Sequence, residues 1–96
     1  MRYFAFAFTD KELDSFTIID EPSFRDLLGE VSLSRSFDIF RTNHLSIYHS
    51  FVKEDSKIIN AGVCEFDNNV TDAIVTIMGY FSSLEFKDGM MVQSET

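Results

Sequence analysis

The chain has 96 residues, of which 45% are apolar and 11 are Phe, so it has the size of a single domain and too much hydrophobicity for a disordered segment. Its 16 acidic and 8 basic side chains give a formal net charge of −8, which argues against direct binding to nucleic acid or to an anionic membrane surface. The same charge suits a basic protein partner, and it also suits a surface that is acidic only for solubility.

The single cysteine, Cys64, excludes an intramolecular disulfide. The apolar run at residues 3–8 is too short for the core of a secretory signal, and no segment reaches the ~20 apolar residues of a membrane helix. We therefore expect a cytoplasmic protein.

Residues 2–9 predict a strand in the middle of a sheet. Phe4, Phe6 and Phe8 would point to one face, and the Tyr and Ala residues that alternate with them to the other, so both faces are apolar. After a polar connection, residues 15–20 predict a second strand.

Two helices are predicted from residues that are typical of helix N-termini. Asp-Glu-Pro at residues 20–22 is typical of a helix N-terminus and predicts a helix over residues 22–28 or a little further. Asn68 or Asn69 is expected to cap the longest helix, over residues 70–84.

Three more strands are expected between the helices. Residues 33–42 fit a strand or a short helical turn, and the strand is favoured because Asn43-His44 follows as a turn. Residues 45–52 and 57–66 predict a hairpin.

A three-residue loop at residues 54–56 sets the register of this hairpin. It places Phe51 opposite Ile59 and His49 opposite Ala61, which collects apolar side chains on one face.

The element order ββαβββα predicts an α+β fold, with a small antiparallel sheet of about five strands and both helices packed on one face. Residues 1–86 would form this domain, and residues 87–96 a flexible C-terminal tail. An open sheet face would then expose aromatic side chains, as a patch that binds a partner or forms a homodimer. The residues of this aromatic patch are Phe4, Phe6, Phe8 and Tyr48.

Catalytic chemistry finds little support in the sequence. A nucleophilic Cys64 needs a base, but the predicted register puts His49 on the opposite face, and nothing orients His44, so a buried structural cysteine is favoured. If Asn43-His44 is a two-residue turn, Asp38 lies opposite His49, where it would raise the pKa of that histidine and make a pH-sensitive pair; a structural ion pair or a different register is favoured.

Metal and cofactor sites also have little support in the sequence. Asp67, Asn68, Asn69 and Asp72 resemble a fragment of a calcium loop, but the glycine, the spacing and the final Glu of such a loop are missing, and helix capping explains the pattern better. The four glycines stand alone, without a phosphate loop. No catalytic residue, metal ligand or cofactor is therefore predicted.

Acidic side chains gather in the predicted turns and at the first helix start. If several share a face, they would offer a phosphate-like surface to a nucleic-acid-binding partner and compete for its Arg and Lys. The predicted acidic surface consists of Asp10, Glu12, Asp14, Asp20, Glu21, Glu54 and Asp55.

Two hypotheses of different classes result. The favoured one is a small, acidic, non-catalytic protein that occupies the surface of a partner protein. Short, acidic and without motifs, the chain is similar in style to small phage-encoded inhibitors of bacterial enzymes or defence systems, a likeness that covers no stretch of residues. The alternative is a small-ligand binder or small enzyme with a pocket between sheet and helices, involving Asp38, Tyr48, His49 and Cys64.

Overall fold

The computed structural model describes residues 1–10, 12–87 and 90–93, with side chains described as far as Leu84. The elements are β1 (Arg2–Thr9), β2 (Glu12–Ile19), α1 (Glu21–Val31), β3 (Asp38–Arg41), β4 (Leu45–Glu54), β5 (Lys57–Phe66), α2 (Val70–Ser82), β6 (Leu84–Lys87) and β7 (Met90–Gln93). The first five strands form one antiparallel sheet in the order β2-β1-β5-β4-β3. The predicted α+β class and the order ββαβββα are confirmed.

The two helices lie on opposite faces of the sheet, which corrects the prediction that they share one. Phe81 of α2 packs its ring 5.4 Å from that of Phe6 and 4.8 Å from that of Phe8. Phe24 of α1 packs 4.6 Å from Tyr3, on the other side of β1. The physical reason is that β1 is apolar on both faces, so one helix layer would leave half of its side chains in water.

Both helices start where the sequence predicts, and each start is capped by a side chain. The backbone N–H of Ser23 donates to Asp20 Oδ1 at 2.9 Å, and that of Asp72 donates to Asn69 Oδ1 at 2.8 Å. The first helix runs on to Val31, past Gly29, whose missing side chain faces open space. Neither helix is long and apolar enough to span a membrane, among the residues described.

The β4–β5 hairpin differs from its predicted register by one residue. Its loop has two residues, Asp55 and Ser56, with φ of 51° and 65°. Two successive positive φ angles fit a type I′ turn, whose twist matches that of the strands, although Asn-Gly is the usual pair there. His49 consequently lies opposite Gly62, where a Cβ would collide with backbone atoms of Tyr48 and His49.

The segment predicted as a strand over residues 33–42 is a strand only at Asp38–Arg41. Before it, Ser36 takes the place of a strand residue: its Oγ accepts from the N–H of Phe51 at 2.9 Å and donates to the carbonyl of Phe51 at 2.8 Å. The side-chain hydroxyl thus satisfies both backbone groups of Phe51 where β3 is absent.

The chain after α2 forms a separate pair of strands, β6 and β7. Leu84, the first residue of β6, is buried in the core beneath α2. The predicted flexibility of residues 87–96 stays a prediction; residues 88–89 and 94–96 lie outside the described residues.

Replacing Phe6 with Ala is expected to lower the free energy of unfolding by about 3–5 kcal/mol, because its ring is buried between β1 and α2. Denaturant unfolding measures this. Val75→Ala, at a side chain that is 63% exposed on α2, serves as the control and should change stability by about 0.5 kcal/mol or less. A small effect of Phe6→Ala together with an altered oligomer mass would contradict the assignment of Phe6 to the core.

Ser56→Gly is expected to stabilise the protein by about 1 kcal/mol, because glycine adopts the positive φ of this turn without steric cost. The matched variant Ser32→Gly, at a residue with φ of −68°, should give no gain. Equal effects of the two substitutions in thermal unfolding would show that the hairpin turn is not the two-residue loop described.

Candidate functional site

The predicted aromatic patch is not a surface. Phe4, Phe6, Phe8 and Tyr48 are only 0%, 4%, 1% and 8% exposed. Helix α2 covers the three Phe rings, and α1 covers Tyr48, whose ring lies 6.0 Å from that of Phe24. The expectation of an exposed patch is therefore wrong, because it depended on a sheet with one open face.

A buried polar trio that the sequence did not reveal lies under α2. His49 is fully buried, and its Nδ1 lies 3.3 Å from Asn60 Oδ1 while its Nε2 lies 3.0 Å from the hydroxyl of Tyr80. Because the amide oxygen of Asn60 only accepts, Nδ1 carries the proton and Nε2 accepts from Tyr80. The trio is satisfied within the core, as a structural network would be.

The protonation states of the trio follow from burial. Burial lowers the pKa of His49, although the carboxylate of Asp38 and the bond to Asn60 act in the opposite direction. Burial likewise raises the pKa of Tyr80 to about 12. Asp38 lies opposite His49, as a two-residue turn at Asn43-His44 implies. The net effect on the histidine pKa nevertheless has the opposite sign to the one expected for such a pair, because desolvation outweighs the charge.

Cys64 has the properties of a structural cysteine. It is fully buried, and burial raises the pKa of its thiol to about 12. The corrected register brings His49 to the same face of the sheet, but both ring nitrogens are occupied by Asn60 and Tyr80. His44 instead contacts Asp67 at 3.1 Å. No thiol–imidazole pair results.

The residues of the predicted interior pocket do not converge. Tyr48 packs beneath α1 and bonds Glu65 at 2.9 Å, whereas Asp38, His49 and Cys64 belong to the α2 side of the sheet. Across the described residues, no group of three or more His, Cys, Asp or Glu is placed to hold a metal ion.

Part of the predicted acidic surface does come together. The β1–β2 turn lies beside β5, since the N–H of Asp10 donates to the carbonyl of Ile58 at 3.0 Å and Asp10 Oδ1 accepts from Ile58 at 3.1 Å. This contact sets the β1–β2 turn next to the β4–β5 turn. The resulting hairpin end carries five exposed carboxylates: Asp10, Glu12, Asp14, Glu54 and Asp55.

Asp20 and Glu21 lie apart from the hairpin end. They follow the other end of β2, about 20 Å beyond Asp14 at roughly 3.3 Å per strand residue. Asp20 caps α1, which lowers its pKa, and Glu21 pairs with Arg25 at 3.0 Å. Both acids thus have local structural partners.

A groove opens at the hairpin end, with a volume of about 620 Å³. Three carboxylates and one lysine supply its charged groups, so it is acidic on balance. Its lining consists of Thr9, Asp10, Glu12, Leu13, Asp14, Lys57 and Ile59. Lys53 also belongs to this end of β4, and Lys11 lies outside the described residues.

Comparisons with models of protein families, with curated proteins and with solved structures found no match for this chain.

The stability of the protein is expected to fall as the pH drops from about 7.5 to about 5.5. An unfolded histidine takes up a proton near pH 6.5, whereas buried His49 resists protonation, so the unfolded state binds more protons in this range. The slope would be at most about 1.4 kcal/mol per pH unit.

Denaturant unfolding over this pH range measures the slope. His49→Gln should remove most of it, and His44→Gln, at an exposed histidine, should leave it in place. A wild-type stability that is constant over the range would contradict a neutral, buried His49.

Proposed function

We propose that this chain is a small, acidic, non-catalytic binding protein that occupies a basic surface of a partner protein with its hairpin end. The observation that carries the proposal is that two turns at one end of the sheet carry five exposed carboxylates, three of which line one open groove. The described lysines at this end are Lys53 and Lys57, so negative charge prevails.

The chemistry of the groove favours guanidinium and ammonium groups. Carboxylates accept charge-assisted hydrogen bonds from Arg and Lys, and those from Arg are frequently bidentate. Among the residues that the structure describes, Glu12 and Asp14 have no hydrogen-bonding role comparable to that of Asp10, which holds β5. Their charges are therefore available to a partner, and long-range attraction would speed its association.

The buried side chains support a role without catalysis. The thiol of Cys64 and the ring of His49 are enclosed in the core, and neither faces the groove. Binding by surface occupation needs no reactive group, only complementary shape and charge.

Competition with nucleic acid is one mode of such binding. A partner that uses Arg and Lys to hold phosphates would meet carboxylates at the hairpin end instead. A phage-type inhibitor of a host enzyme or defence complex would act in this way, in the cytoplasm. The homodimer expected through the aromatic patch loses its support, because those rings are buried.

The test compares two double variants that each remove two negative charges. Glu12→Gln with Asp14→Asn neutralises the hairpin end, whereas Asp26→Asn with Glu30→Gln neutralises exposed residues of α1. Tagged proteins are used for affinity capture at roughly 0.1 M and roughly 1 M salt, where the Debye length falls from about 10 Å to about 3 Å.

The proposal predicts a basic or nucleic-acid-binding partner that is captured at low salt and released at high salt or by added nucleic acid. Capture should fail with the hairpin-end variant and persist with the α1 variant. Equal capture by both variants, or a partner retained at high salt, would contradict an acidic binding surface at the hairpin end.

A further inference from the structure

The outer edge of β2 is open. β2 is the first strand of the sheet, and no other described strand pairs with its outer side. It has 8 residues, whereas β3 at the opposite edge has 4. An open edge presents unpaired N–H and C=O groups that can bind a further strand.

The hydrogen bonds of β1 alternate between its two neighbouring strands, and this alternation shows which backbone groups of β2 are unpaired. Asp10 donates to the carbonyl of Ile58, so even-numbered residues of β1 bond to β5 and odd-numbered residues bond to β2. The partners of the odd-numbered residues are Ser15, Thr17 and Ile19. The N–H and C=O groups of Phe16 and Ile18 must then point outward.

The same two residues offer apolar side chains beside the edge. Phe16 is half-buried, with its ring 4.4 Å from that of Phe4. Ile18 is 48% exposed although it lies opposite the buried Phe4. A strand added here would cover both side chains on the α2 side of the sheet.

The charges around this edge disfavour a second copy of the chain as the added strand. An antiparallel pairing centred on Thr17 would place Asp14 of each copy opposite Asp20 of the other, and like charges opposite each other are destabilising. A foreign strand with basic residues at its ends meets no such repulsion.

We propose that β2 binds an extended segment of the basic partner as an additional strand of the sheet, through the outward backbone groups of Phe16 and Ile18. The bound segment has apolar side chains at its centre, and basic side chains beside Glu12 and Asp14. This inference rests on the proposed function, since it names how the partner of the acidic hairpin end is held.

The probe is a labelled synthetic peptide of the same length as β2, with alternating Val and Thr at its centre and Lys at both ends. A matched peptide carries Glu at both ends. Fluorescence anisotropy measures binding to the wild-type protein, to Ile18→Pro and to Ile18→Thr. Proline removes an outward N–H without breaking a bond to β1, and threonine keeps that N–H while reducing the apolar surface.

The Lys peptide is expected to bind the wild-type protein at least about tenfold more tightly than the Glu peptide does. Ile18→Pro should weaken binding of the Lys peptide about tenfold, and Ile18→Thr should weaken it less. A second measurement needs no variant: on binding, the amide protons of Phe16 and Ile18 should become protected from hydrogen exchange.

Four outcomes would overturn the inference. Binding that is unchanged by Ile18→Pro but lost in the Glu12→Gln, Asp14→Asn variant would leave the acidic surface as the binding site, without strand addition. Binding lost in neither variant, or no binding of the Lys peptide, would count against the inference and the proposed function together. Dimerisation of the free protein that Ile18→Pro abolishes would assign the edge to a second copy.

Discussion

The structure depends on one constraint, which is that β1 is apolar on both faces and lies inside the sheet. Phe4, Phe6 and Phe8 are buried against α2, and Tyr3 and Ala5 pack on the α1 side. Burial of apolar area is the main favourable term in folding, so neither face can be left in water. Each helix therefore covers one face, and the sheet becomes the middle layer of three.

This arrangement removes the predicted aromatic patch from the surface of the protein. Because both faces of β1 are covered, the aromatic rings that were expected on the surface are buried in the core. Polar groups within that core, such as those of His49 and Tyr80, form hydrogen bonds with each other. The proposed binding site uses a pair of turns and one edge of the sheet instead. The turns at one end are acidic, and the edge beside them is β2. Surface charge and open backbone groups thus occur on neighbouring parts of the molecule.

Local signals in the sequence were sufficient for the strands and the helix starts, because alternation and capping depend on residues close in the chain. Pairings between residues that are far apart in the chain could not be predicted from such local signals. The two-residue turn at Asp55 and Ser56 uses positive φ angles in residues that rarely adopt them, so the register of β4 against β5 was misplaced by one residue. The sequence identified the acids in the turns, but only the pairing of β1 with β5 brings Asp10 to the same end of the sheet as Glu54.

The measurement that tests this account most directly is amide hydrogen exchange in the free protein, residue by residue, by NMR. Amides throughout β1 should exchange slowly, because they bond alternately to β2 and β5 and both faces are covered. Along β2 the rates should alternate, slow at Thr17 and Ile19 and fast at Phe16 and Ile18. Uniformly slow exchange along β2 would show that its outer edge is already occupied, and fast exchange in β1 would contradict its position at the centre of the sheet.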